Sequence, residues 1–220
     1  MNRHETLDDH SASRSAIVAT ARRLAAAGMS PGSSGNLSVR LPGAVLVTRR
    51  GADLAALEPA DLVLVGDDGV VRADPVTRSG ARPTKETAMH QAVYAARHGA
   101  GAVVHLHSHY ATALACLPAG ADGFAALPPY TPYRVMRLGD VPLVPFAPPG
   151  SAELAGLVGA AAARGHAMLL AQHGALVAAA DLETAAADAA ELEAASRLSL
   201  ELAGRPAGVI DAAGLGALRA

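Results

Sequence analysis

Apolar positions recur along this chain at two different periods. Residues 15–27 carry them at helical spacing, and Gly28 and Pro31 stop the run. Residues 36–40 alternate instead, and 44–48 are rich in β-branched residues. Together they predict a hairpin about Pro42-Gly43. Residues 62–65 and 70–72 flank Gly66-Asp67-Asp68-Gly69, which predicts a second hairpin. Residues 84–98 read as a helix, with Pro83 before it, Thr84 as N-cap and Gly99 beyond its end. A strand over 102–107 and a helix over 110–117 follow. The proline-rich stretch 118–150 reads as loop with short strands. A helix over 151–164 capped by Ser151, strands over 167–172 and 175–178, and a helix from Asp181 to about Ala203 close the pattern. Residues 1–14 read as a polar, flexible lead-in and 15–220 as one domain. Hairpins alternate with helices without a regular βαβ order, so the expected class is mixed α/β.

Composition narrows the function classes. Of 220 residues, 51% are hydrophobic and 17% charged, enough for a sizeable core and too apolar for a disordered chain. The formal net charge is −2, and aromatic residues make up 3% with no Trp. Neither a basic face nor a base-stacking surface follows, so nucleic acid is not an expected partner. A single cysteine, Cys116, excludes an intramolecular disulfide framework and a cysteine-rich metal site. It is expected as a small buried residue on an apolar helix. The first fifteen residues lack an apolar leader segment, and no run of about 18 apolar residues occurs. A cytoplasmic protein without a membrane partner is therefore expected.

The chemistry concentrates in a few polar residues set among apolar ones. His105 and His107 lie two apart on a strand and so share a face. His173 ends another apolar strand, just before Gly174, and Glu86 opens the helix ahead of the His105 strand. Three imidazoles and a carboxylate suit Zn2+ or a similar divalent ion. The histidine pair alone is equally compatible with a half-exposed strand that binds nothing. His90, four residues after Glu86, reads as a hydrogen-bonded neighbour of that carboxylate rather than a ligand. His109 belongs to a helix start, and His4, His10, His98 and His166 read as surface residues. Ser33-Ser34-Gly35-Asn36 offers backbone N–H groups to an anion, and Thr48-Arg49-Arg50-Gly51 adds a hydroxyl and two guanidiniums. Thr84-Lys85 opens a helix, where free N–H groups favour anions. Each of these three segments by itself is also an ordinary turn.

Taken in order, SSGNLSVR, VTRRG, RPTKETAMH, AVVHLHS and LLAQHGALVAA resemble the class II aldolase/adducin family over about residues 15–203. The resemblance implies an α/β/α sandwich around a central, mainly antiparallel sheet, and a homotetramer with sites at subunit interfaces. It implies a zinc site of His105, His107 and His173, with Glu86 as ligand at rest and acid/base in turnover; Mn2+, Co2+ or Fe2+ are the alternatives. Gly35 and Asn36 match the turn that holds substrate, Thr48 and Gly51 match the ends of the phosphate loop, and Thr84 and Lys85 occupy the phosphate-binding pair. Tyr133 matches a tyrosine that acts as an acid from a neighbouring subunit. Two departures stand out. Arg49-Arg50 replaces Pro-Ser/Thr in the phosphate loop, and Thr84-Lys85 replaces paired serines. Both changes add positive charge, which suits a substrate bearing a carboxylate as well as a phosphate. The segment LPPYTPYRVMRLGDVPLVPFAPPG and PTKE are similar to the 3-oxo-tetronate 4-phosphate decarboxylase branch. That branch implies loss of CO2 through a metal-stabilised enediolate, giving dihydroxyacetone phosphate. A sugar-phosphate aldolase or ribulose-phosphate 4-epimerase is the alternative. An adducin-like interaction protein would lack the ligands present here, and an H-x-H cupin would lack the alanine-rich helices.

Overall fold

The computed structural model describes residues 10–219. Seven strands form one sheet in the order β3 (Leu62–Gly66), β2 (Ala44–Thr48), β1 (Asn36–Leu41), β4 (Ala102–Leu106), β7 (Gly174–Ala179), β6 (Ala167–Leu170) and β5 (Leu143–Val144). Neighbours run antiparallel, except β5 beside β6. Strand alternation sends side chains to two separate cores. Leu37, Leu46, Ala102, Val104, Leu106 and Val177 pack with α1 (Ser11–Ala26), α3 (His109–Ala115) and α6 (Leu182–Leu202). Val45, Val47, Val103, Met168 and Leu176 pack with α2 (Thr87–Ala96) and α5 (Ala152–Ala162). Helices on both faces of a mainly antiparallel sheet make the expected α/β/α sandwich. Each fully buried Leu or Val side chain in these layers contributes roughly 1.5–3 kcal/mol relative to exposure.

Strand parity also places polar residues. In β4, Val103 belongs to the α2–α5 core, and His105, two residues on, shares its face. In β1, Leu37 faces the opposite core, which leaves Asn36 and Ser38 on the α2 side. Asn36 pairs directly with His105 in the β1–β4 register.

Several elements depart from the sequence pattern. Helix α1 begins at Ser11, so residues 11–14 belong to the fold and not to a lead-in; residues 1–9 lie outside the described residues. Arg14 causes the difference. Its buried guanidinium pairs with Asp74 and donates to the Leu62 carbonyl at 3.2 Å. Helix α2 starts at Thr87, with Glu86 rather than Thr84 in the N-cap position and no side-chain capping hydrogen bond. Thr84 is held instead at the end of β2, since its N–H donates to the Thr48 carbonyl at 3.1 Å beside an Arg49–Pro83 bridge. The second hairpin shrinks to one bridge, Val65–Val71, because Val70 and Val71 are exposed and bury nothing that would extend it. The proline-rich stretch contains a helix, α4 (Pro132–Leu138), opened by a Thr131 cap and Pro132 in its first turn. A last helix, α7 (Ala212–Arg219), packs on α4. Cys116 is exposed just past α3, not buried. No helix among the described residues is long and apolar enough to cross a membrane.

Candidate metal centre

The antiparallel pairing of β4 with β7 brings the histidines together. His105 lies within β4, His107 one residue past its end, and His173 in the turn between β6 and β7. That turn is held by Gln172 at φ 53°, a left-handed conformation that non-glycine residues seldom adopt. The three imidazole centroids lie 4.8–4.9 Å apart with rings steeply inclined to one another. His105 Nδ1 lies 2.9 Å from the Ala175 carbonyl oxygen, so this nitrogen carries the hydrogen. Its Nε2 lone pair is thereby turned into the cluster, as metal ligation requires. Glu86, just ahead of α2, completes the set.

The spacing within this set can be tested against an ion. His105 Nε2 lies 3.1 Å from His107 Nε2 and 3.4 Å from Glu86 Oε2, and His173 Nε2 lies 3.3 Å from Glu86 Oε1. Ligand atoms about 2.0–2.2 Å from a tetrahedral Zn2+ lie about 3.3–3.5 Å from one another. A buried carboxylate oxygen also needs a partner. Glu86 Oε1 is buried and has no hydrogen-bond partner among the described residues. The donor set therefore fits a divalent cation.

Protonation agrees. Burial, then repulsion from His107 and His173, pushes His105 well below the ordinary imidazole value of 6.5. Burial and the neighbouring His173 lower His107 as well, and burial lowers His173 against the opposing pull of Glu86. A lowered value means that the proton is shed at higher acidity, so all three rings are neutral at pH 7 with lone pairs available to a metal.

The centre opens into a cavity of about 520 Å³ whose lining includes Gly35, Asn36, Arg50, Gly51, Thr84 and Lys85. Gly35 has φ +81°, and a Cβ there would fall 2.9 Å from the His105 carbonyl oxygen, so only glycine brings this turn against β4. Gly150, at φ +82°, seats the Lys85 backbone in the same way. Two expected site residues lie elsewhere. Thr48 is fully buried and does not reach the cavity; its hydroxyl accepts the Leu37 N–H at 3.3 Å. Tyr133 is 64% exposed on α4 and does not line this cavity. Arg49 does line it, yet its Nε donates to Asp61 at 2.7 Å, and Arg78 donates to the same oxygen at 3.1 Å. Burial alone would raise the Asp61 carboxyl; these hydrogen bonds hold it below the usual range. Arg50 and Lys85 have no ion-pair partner among the described residues, so theirs is the positive charge that the cavity offers to a ligand.

The expected contact between His90 and Glu86 is indirect. Asn36 stands between them, with Nδ2 donating to Glu86 Oε2 at 2.8 Å and Oδ1 2.6 Å from His90 Nε2. His90 Nδ1 lies 2.7 Å from Ser38 Oγ, which lies 2.8 Å from the Tyr94 hydroxyl. The sequence holds a signal for this chain. Glu86, His90 and Tyr94 recur every four residues beside one helix, and Asn36 and Ser38 share a strand face. His166 is half-buried rather than a free surface residue. It faces Asp188 in a larger cleft of about 730 Å³, where Asp188 is already paired with Arg137.

A mainly antiparallel sheet between helical layers, with neutral imidazoles and a carboxylate converging beneath a cationic mouth, defines the class: an α/β/α protein with a candidate divalent-metal centre. The chain belongs to the family described as Class II Aldolase and Adducin N-terminal domain, which it matches over residues 15–200. It is 42% identical to the 3-oxo-tetronate 4-phosphate decarboxylase of Escherichia coli (strain K12) over 193 residues, 87% of this chain and 88% of that protein. It is 38% identical to the protein of the same name from Haemophilus influenzae over 195 residues, 88% of this chain and 90% of that one. The crystal structure of YgbL from Klebsiella pneumoniae superimposes with a TM-score of 0.87 at 38% identity, covering 95% of this chain and 98% of that one.

Proposed function

We propose that this protein is a metal-dependent lyase that decarboxylates a 3-oxo-tetronate 4-phosphate, releasing CO2 and dihydroxyacetone phosphate. One observation carries the reading: the converging histidines and Glu86 share a single cavity with Arg50 and Lys85, which have no ion-pair partner among the described residues. The relatives at 38–42% identity support the substrate class.

His105, His107, His173 and Glu86 would hold the ion, read here as Zn2+ with Mn2+, Co2+ or Fe2+ as substitutes. When bound, it supplies Lewis-acid polarisation of the substrate's carbonyl oxygen. Lys85 and Arg50 bind the phosphate or carboxylate, with Gly35, Gly51 and Thr84 shaping the wall against it. As the bond between C1 and C2 breaks, CO2 leaves and its electron pair passes into an enolate across C2 and C3. Glu86 takes up one proton from solvent and delivers it to C2, which balances the reaction. Asn36 holds that carboxylate in place from the far side. The protein is read as a homotetramer in which Tyr133, exposed on α4, serves the cavity of a neighbouring copy.

Two measurements test the reading. The purified chain should carry about one divalent ion and evolve CO2 from a 3-oxo-tetronate 4-phosphate. A bound ion with no CO2, but with aldehyde released from a ketose 1-phosphate, would replace decarboxylation with aldol cleavage. Lys85→Ala should raise KM for the phosphorylated substrate about 10- to 100-fold, the loss of one charge-assisted contact of about 1.5–3 kcal/mol. An unchanged KM would place the anion elsewhere.

A further inference from the structure

We propose that His90 is a positioning residue for the metal centre: as a neutral donor through Nε2–H, it locks the Asn36 amide with its NH2 toward Glu86 and so holds the carboxylate in its ligating position. The inference rests on the reading of Glu86 as a ligand and acid–base group.

The geometry allows one polarity along the chain. An ionised carboxylate only accepts hydrogen bonds, so the Asn36 atom 2.8 Å from Glu86 Oε2 must be the NH2 group. The amide oxygen then faces His90 Nε2 at 2.6 Å, and that nitrogen must carry the hydrogen. With the ring neutral, Nδ1 is left as an acceptor for the Ser38 hydroxyl at 2.7 Å. Ser38 in turn is braced by Tyr94, whose hydroxyl lies 2.8 Å from Ser38 Oγ and 3.1 Å from its carbonyl oxygen. Glu86, Asn36, His90, Ser38 and Tyr94 are all buried, His90 and Ser38 completely, so water cannot substitute for a missing partner. Burial also drives His90 down to about 3, with His105 adding to the effect and Glu86 opposing it, which keeps the ring neutral near pH 7.

The consequence falls on Glu86. With Oε2 held by Asn36 beside His105, Oε1 is presented to the centre 3.3 Å from His173 Nε2 and has no hydrogen-bond partner among the described residues. Without the Nε2–H donor, nothing prevents the amide from turning over. Its oxygen would then oppose Oε2 as a second acceptor and push the carboxylate off the ligand position.

The experiment compares His90→Gln with His90→Asn in the full chain. The longer Gln amide places an N–H near the lost Nε2, whereas Asn is too short to reach Asn36. His90→Asn should weaken Zn2+ binding, read by competition with a chromophoric chelator, about 10- to 100-fold, and lower kcat with KM within about twofold. His90→Gln should bind Zn2+ within about threefold of the unaltered chain, although both variants lose similar thermal stability. Equal Zn2+ affinity for His90→Asn and the unaltered chain, or losses in both variants that track their melting temperatures, would overturn the proposal. Long-range 15N–1H correlation on the metal-free chain, with His90 assigned by its absence from the variants, should show the Nε2–H tautomer. An Nδ1–H tautomer overturns the proposal without reference to any metal. Failure of the unaltered chain to bind Zn2+ overturns the metal reading of the centre instead.

Discussion

Replacing His107 with alanine is expected to remove the ion and the activity together. His107 supplies one of three imidazoles and is the one set past the end of β4, where it is only partly buried. Its loss therefore tests the centre with little disturbance of the sheet, whereas His105 is fully buried and anchored to Ala175. Two remaining imidazoles and a carboxylate bind a divalent ion far more weakly than four ligands do. Ion content, measured by mass spectrometry after dialysis, should fall from about one per chain to less than about a tenth. CO2 release should fall at least about 10³-fold, because polarisation of the reacting oxygen is worth several kcal/mol and each 1.4 kcal/mol is a factor of ten. Unfolding of the metal-free variant should match that of the metal-free parent. Full ion content in His107→Ala would mean that the three rings do not form one site.

Glu86→Gln separates ligand from acid. The amide keeps the size of the side chain and one oxygen for Asn36 Nδ2, but it cannot carry the transferable proton. Turnover should drop about 10²- to 10⁴-fold, the usual contribution of a positioned acid or base. Ion content at saturating metal should stay near one per chain, since His105, His107 and His173 are intact and mass action offsets a weaker site. Undiminished turnover in this variant would remove Glu86 from proton transfer. Loss of the ion equal to that in His107→Ala would make Glu86 a ligand without a separate chemical role.

Local order was legible along the chain wherever the cause was local. Strand period placed His105 with the α2-facing residues of β4, and Ser151 and Asp181 cap α5 and α6 as their spacing indicates. The three histidines stood out because they sit in or just past apolar strands, and Glu86 because it opens the helix ahead of them. Where tertiary contacts outweighed local preference, the pattern misled. Arg14 looked solvated in a polar segment, but it is buried against Asp74 and the Leu62 carbonyl. Thr84 looked like a helix cap, but its N–H is tied to Thr48 at the end of β2, and α2 starts three residues later. Thr48 looked like a ligand to phosphate, but its hydroxyl is taken by the neighbouring strand.

The sequence by itself determined most element types, the mixed α/β class and which residues are candidates for a ligand set, because backbone periodicity and side-chain chemistry are properties of neighbouring residues. Only the tertiary structure decided which of those residues meet. Register between β1 and β4 sets Asn36 opposite His105, and the packing of α2 on that face brings Glu86 and His90 to either end of the same amide. Such contacts depend on which strand pairs with which and at what offset, and a shift of one residue would turn every one of these side chains to the opposite face.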